Sequence, residues 1–293
     1  MKEQTLVTGN NISFQKAISI DNWFREDSSN SILGLCINSA SIQFCVYQLR
    51  EDSFQLFESY SFQNISSDSL NDFLSEEKIT KLNYAGIVCS FSDLPVTLVP
   101  KPLFDERLAL DYLEFVQGSK KDVNVYYQNI GSDIVSVFGI DSSMVSTIAK
   151  HLPTAVFTNK SNKLVENFIT SRVEKECLLI LNDDVIEIIV AEESKLHFYN
   201  SFKYKSTEDL LYFVMMAYDQ FGLNSSKSVL NINGGIDKES NVFKALNKYI
   251  SKICFYPVEL TFKTSSGFKD IPIHYASSLF YNIYENYRRK IQG

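Results

Sequence analysis

The order of apolar and polar positions along this chain occurs twice, once in each half. In the first copy, the apolar run Ile32-Leu33-Gly34-Leu35-Cys36-Ile37 leads into a polar turn at Asn38-Ser39, and Ile42, Phe44 and Val46 then alternate with Gln43 and Cys45. Alternation of period two predicts a strand. Glu51-Asp52-Ser53 turns the chain into another strand through Phe54, Leu56, Tyr60 and Phe62. Ser67 or Asp68 then caps a helix with Leu70, Phe73 and Leu74 on one face. An apolar strand over 84–89 closes the unit. The second copy opens at Leu178-Leu179-Ile180-Leu181, turns at Asn182-Asp183-Asp184, and alternates through Ile186, Ile188 and Val190, then Leu196 and Phe198. Ser206, with Asp209 three positions on, starts a long helix that ends at Gly222. The buried strand Val229-Leu230-Asn231-Ile232 delivers Gly234-Gly235.

Between the copies, residues 106–115 read as a helix, 123–127 and 134–138 as a hairpin around Gly131-Ser132, and 141–150 and 162–169 as two further helices. The expected organisation is a first lobe over 1–170, carrying an inserted helix–hairpin–helix segment at about 101–160, and a second lobe over 171–293. Residues ahead of Ser31 form a lead-in, with Ile18 and Ile20 on a short edge strand and Trp23-Phe24 as a packing anchor. The last helix, over 275–289, carries Phe280, Tyr284 and Tyr287 on one face and is expected to pack back across the lobes. Exposed tyrosines on it would instead form a docking patch.

Composition narrows the chemistry. Glycine is scarce at 11 of 293 residues, where average usage would give roughly 20. Loops that cradle phosphate need glycine so that backbone N–H groups can approach the anion. Twenty-eight basic against 35 acidic residues give a net charge of −7, which disfavours nucleic acid and anionic membranes and leaves protein as the expected partner. Lys120-Lys121 and Arg288-Arg289-Lys290 read as solvated surface. Five scattered cysteines without a CxxC fit a reducing, cytoplasmic setting. No apolar stretch reaches the length of a membrane span, and no secretory signal pattern is visible at the N-terminus. His151, His197 and His274 form no ligand motif, so no metal site is expected.

With these residues in view, the pattern resembles the actin-like ATPase superfamily of sugar kinases, heat-shock ATPases and actin-fold pilus-assembly and secretion proteins. It is similar in particular to an uncharacterised bacterial family assigned that fold. The resemblance covers roughly residues 31–290 and implies a duplicated, ribonuclease H-like α/β fold with two lobes around a cleft. Active members read G-I-D-I-G-T-x-x-I at the first turn. Here Gly34 matches the first glycine, but Cys36 stands at the metal-anchoring aspartate, Asn38 at the turn glycine and Ser39 at the hydroxyl position. In the second copy Ile180 replaces the aspartate and Asn182 the glycine. Only Ile232-Asn233-Gly234-Gly235-Ile236 matches well, as the adenosine-type element.

The resemblance therefore implies that Asn38, Ser39, Asn182, Gly234 and Gly235 would hold a nucleotide if one binds. Phosphoryl transfer in this fold needs a carboxylate for hydrated Mg²⁺ and amides for the phosphates. Cys36 and Ile180 supply neither, and Asp183 and Asp184 would repel phosphate. The expectation is a non-catalytic binding or scaffold protein with degenerate phosphate loops. ATP and Mg²⁺ are disfavoured. The alternative is a nucleotide-binding protein, or an ATPase or kinase, with unorthodox loops.

Overall fold

The computed structural model describes residues 4–7, 13–21, 23, 25–118, 122–257 and 262–291. Phe24 and Lys120-Lys121, read above as anchor and surface, lie outside the described residues, as do residues 1–3 at the N-terminus. The strands are β1 (Gln4–Val7), β2 (Ser13–Asp21), β3 (Ser31–Ile37), β4 (Ser41–Gln48), β5 (Ser53–Ser61), β6 (Gly86–Phe91), β7 (Val96–Pro100), β8 (Val123–Ile130), β9 (Ile134–Asp141), β10 (Ala155–Asn159), β11 (Glu176–Leu181), β12 (Val185–Glu192), β13 (Lys195–Lys203), β14 (Leu230–Gly234), β15 (Ile253–Phe255) and β16 (Lys263–Thr264). The α-helices are α1 (Ser67–Glu76), α2 (Ala109–Gln117), α3 (Ser142–His151), α4 (Asn162–Ser171), α5 (Thr207–Gln220), α6 (Asn241–Asn247) and α7 (Ile273–Ile291).

The duplication is visible in the sheets. The orders β5-β4-β3-β6-β10 and β13-β12-β11-β14-β15 are equivalent, each with two antiparallel pairings followed by two parallel ones. β3 and β11 hold the central position in their sheets. The lead-in is longer than its sequence implies: β2 pairs along β5 and β1 extends the sheet beyond it. The fifth strands, β10 and β15, are not legible in the sequence pattern, being five and three residues long. Between β6 and β10 the chain leaves the large sheet to form a separate three-stranded sheet, β7-β9-β8, with α2 packed over it.

The central strands β3 and β11 are buried on both faces, which explains their continuous apolar runs. Leu33, Leu35 and Ile37 of β3 pack with Phe73 and Leu74 of α1 and Ile148 of α3. Ile32 and Cys36, on the opposite face, join a second core with Leu164 and Phe168 of α4, Phe280 and Ile283 of α7, and Leu178 and Ile180 of β11. Cys177 and Leu179 face a third core under α5 and α6. α4 and α7 thus lie in the core common to both sheets. Phe280 stacks on Phe54 at 4.4 Å, and Tyr281 is buried against Phe262. Tyr284 and Tyr287 are half-buried on that core, so the final helix offers no tyrosine docking patch. Trp23 is buried, stacks on Tyr84 and donates to the Ser31 hydroxyl at 3.3 Å.

Local signals act as their chemistry dictates, with one shift. The α1 cap is Ser66, which accepts from the Ser69 amide while the Ser69 hydroxyl accepts from the Ser66 amide. Ser67 and Asp68 therefore lie inside the first turn. Ser206 caps α5 and accepts from the Asp209 amide at 3.1 Å.

Candidate functional site

The first turn carries its own ligand. Asn38 leaves the end of β3, and its side-chain oxygen accepts from the Ala40 amide at 2.9 Å and from the Ser41 amide. Its own amide donates to the Ser41 carbonyl at 3.0 Å. The Ser39 and Ala40 carbonyls accept from the amides of Ile65 and Phe62. In a phosphate-cradling turn these donors would face an anion. Here a side-chain carbonyl takes that part, as in other Asx turns. Cys36 beneath it is buried, and desolvation pushes its thiol pKa up, so it stays protonated.

The equivalent turn of the second copy uses the same residue type differently. The Asn182 amide donates to Val185 at 3.0 Å, repeating the Asn38–Ser41 bond, but its side chain is buried and donates to Glu187 at 3.2 Å. The Asn182 side-chain oxygen is buried with no hydrogen-bond partner. Glu187 is a carboxylate inside an apolar strand, and the hydroxyls of Tyr199, at 2.9 Å, and Ser161 also donate to it. Burial still raises its pKa.

Between the turns lies Lys160. The link from β10 to α4 is held by the Lys160 amide donating to Phe91 at the end of β6, 2.9 Å, and by the Ser161 amide donating to the Asn159 side chain, 2.8 Å. The Lys160 side chain is buried, and its positive charge favours the ionised forms of Asp93, Asp183 and Glu187. Asp93 sits in the left-handed region at φ 59°, where Asp is better tolerated than most residues. Both its carboxylate oxygens are buried without a hydrogen-bond partner. Burial, then the nearby Asp183, lift its pKa to about 6 against the pull of Lys160 and the Ser39 amide. The two turns therefore converge on one point: Ser39 from the first and Asp183 from the second both act on Asp93.

The Gly-Gly element divides into two roles. Gly234 has φ 117°, and a Cβ there would meet the Leu181 carbonyl oxygen at 2.2 Å, so glycine lets β14 end hard against the second turn. A Cβ on Gly235 would find open space. Beneath them Asn233 donates to the Tyr256 carbonyl and the Ser277 hydroxyl, both at 2.8 Å, and accepts from Ser278 at 2.8 Å. His274 donates from Nε2 to the Ile236 carbonyl at 2.7 Å and stacks on Phe255 at 4.1 Å. Burial lowers its pKa, which keeps it neutral. The start of α7 is thereby fastened to the loop after β14. His151 and His197 lie apart, against Asn71 and Glu192. Among the described residues no group of three or more His, Cys, Asp or Glu is arranged to hold a metal ion.

Sequence reasoning singled out the two turns and the Gly-Gly element but missed Lys160, Asp93 and Glu187. Glu187 had one available signal, a lone carboxylate at 187 flanked by Ile186, Ile188 and Ile189. Lys160 and Asp93 had none, since each lies in an ordinary polar loop.

Two sheets that share an equivalent five-strand order, central strands meeting at their turns and a helix-filled core between them define the actin-like ATPase fold. A protein of Bacteroides thetaiotaomicron with an actin-like ATPase fold and unknown function is similar at 22% identity, covering 80% of this chain and 93% of that one, with a TM-score of 0.71. The PilM–PilN type IV pilus biogenesis complex is similar at 11% identity, covering 87% and 98%, with a TM-score of 0.58. The chain itself belongs to the family described as Protein of unknown function (DUF3822), which its residues 21–253 match. No curated protein matches it.

Proposed function

We propose that this protein is a non-catalytic, two-lobed platform that binds another protein and uses its cleft as structure rather than as an enzyme site. The observation that carries this reading is the Asn38 side-chain oxygen on the Ala40 and Ser41 amides. It stands where the phosphate of a nucleotide would have to sit. The surroundings point the same way: three carboxylates share one lysine, so the centre of the cleft carries excess negative potential toward a triphosphate. Asp93 and Asp183 belong to separate turns and do not replace the acids missing at Cys36 and Ile180. These residues do not fit a magnesium triphosphate.

Protein as the partner is supported by the net charge of −7 and by apolar side chains left in solvent on the inserted unit, where Phe115 is 92% and Leu103 70% exposed. The five free cysteines fit a reducing, cytoplasmic setting. A second reading, an adenosine-type ligand without metal, is favoured only by the open space at Gly235. Phosphate release from ATP with Mg²⁺ tests the proposal. The expected rate equals that of a protein-free control. Steady turnover that is abolished by Asp93→Asn would overturn it.

A further inference from the structure

A cavity of about 370 Å³ lies where three parts of the chain meet. The inserted unit contributes the last residues of β7 and the hairpin turn 130–134, α4 contributes its final turns, and 194–196 contribute the bend from β12 into β13. None of its lining residues belongs to the Asn38 and Asn182 turns or to the Gly-Gly element. Both bends are held by main-chain bonds. The Lys101 amide donates to the Asp133 carbonyl at 2.8 Å, and the amides of Glu193 and Ser194 donate to the carbonyls of Val173 and Arg172 at 3.1 and 2.8 Å. The Ser194 hydroxyl adds a bond to the Thr170 carbonyl at 3.1 Å. The walls are therefore fixed before anything enters, as in a preformed ligand site.

The lining sorts by depth. Ile130 and Ile169 are buried in the floor, and Leu98, Ile134 and Leu196 are half-buried on the core shared by the two sheets. Asp133 and Lys195 are exposed and come from different walls, the hairpin turn and β13. Neither forms an ion pair among the described residues. Glu166, the third charged group of the lining, is already neutralised, because Lys163 holds it at 2.7 Å with a side chain only 2% exposed. The charges left for an occupant are one carboxylate and one ammonium.

We propose that this cavity binds a free aliphatic amino acid. Its side chain lies over Ile130 and Ile169, its ammonium group turns toward Asp133 and its carboxylate toward Lys195. The site does not depend on the protein-binding reading. Its volume falls at the low end of the range that small-molecule pockets span, about 300–1,000 Å³, which suits a small metabolite rather than a dinucleotide. Among the described residues no aromatic side chain lines the space, so a nucleobase or aromatic ring finds no stacking surface. A phosphorylated ligand meets a single lysine with Asp133 against it. A simple fatty acid or amine leaves one of the two charges unanswered. Burial of the aliphatic side chain supplies affinity, and the two charges at the opening select the zwitterion. A bound amino acid touches the inserted unit, α4 and β13 together, and so holds the inserted unit against the second sheet.

Isothermal titration of the full chain with leucine, isoleucine and valine tests this, beside isocaproate and isoamylamine, which keep the leucine side chain but only one of its charges. At least one of the three amino acids is expected to bind at a single site, with each one-charge analogue weaker by about fivefold or more. Asp133→Lys and Lys195→Glu, both at exposed positions, should each weaken the amino acid about tenfold. The double variant, Asp133→Lys with Lys195→Glu, should regain most of that loss, because charges of both signs again flank the opening. Ile134→Trp, which fills the space, should abolish binding, and the charge variants decide the matter if it fails to fold. No heat from any of the three amino acids at millimolar concentration would overturn the proposal. So would an analogue that binds as tightly as leucine, or losses that add in the double variant.

Discussion

A β-carbon placed on Gly234 would lie 2.2 Å from the carbonyl oxygen of Leu181. That contact joins the end of β14 to the end of β11 and leaves no room for any side chain. Gly234→Ala should therefore cost about 3 kcal/mol or more, from backbone overlap added to strain at a positive φ. Gly235→Ala, with open space at its Cβ, should stay within about 0.5 kcal/mol of the parent. Urea unfolding of both variants checks this. Equal losses would show that the second glycine is also demanded by packing.

Gly34 matches the first glycine of the nucleotide motif, yet its environment supplies a packing reason. A Cβ there would fall 1.9 Å from Cδ1 of Ile283 on α7 and 2.9 Å from the Cys45 sulfur. Gly34→Ala should destabilise by about 1–3 kcal/mol, as overpacking does. Ile283→Val, which removes the colliding Cδ1, should recover part of that loss in the double variant. A double-mutant cycle with no coupling would remove α7 packing as the reason for this glycine.

Much of this fold was legible because its signals are local. The turns at Asn38 and Asn182, the hairpin around Gly131 and the cap at Ser206 all declare themselves within a few residues. β10 and β15 did not, since a three- to five-residue strand carries too little pattern. The candidate site was legible only in what it lacks. Asn38 and Asn182 occupy the same place in the two copies, yet one side chain caps its turn and the other reaches Glu187. Nothing local separates them, because the difference depends on a carboxylate five residues on and on Ser161 of the inter-sheet link. Lys160 becomes part of the cleft only once β10 has paired with β6.

Asn38→Ala removes the acceptor for two turn amides while leaving them partly open to water. The expected cost is about 1 kcal/mol, typical of losing a side-chain cap. Asn38→Asp keeps an acceptor and should retain most of the turn, though it adds charge near Asp93. Thermal or urea unfolding measures the difference. A neutral Asn38→Ala would show that the cap is incidental.

Asp93 should make stability fall as pH rises through its folded pKa. Its value is lifted from 3.8 to about 6 by burial and Asp183, so the folded state holds the proton more tightly than the unfolded chain. That contribution is fully present below 3.8 and is lost as pH passes about 6. Asp93→Asn stays uncharged and tolerates the same backbone. Above about pH 6 it should be more stable than the parent by about 1–3 kcal/mol, and the gap should close in acid. Urea midpoints across that range check the sign. A variant that is less stable at neutral pH would mean that the Asp93–Lys160 attraction outweighs burial.

Isothermal titration with ATP and ADP, with and without Mg²⁺, tests whether the Asn38 side chain takes the place of a phosphate at the first turn. Neither nucleotide should give heat beyond dilution in either condition. Micromolar affinity for ATP that weakens when Mg²⁺ is chelated would contradict the account.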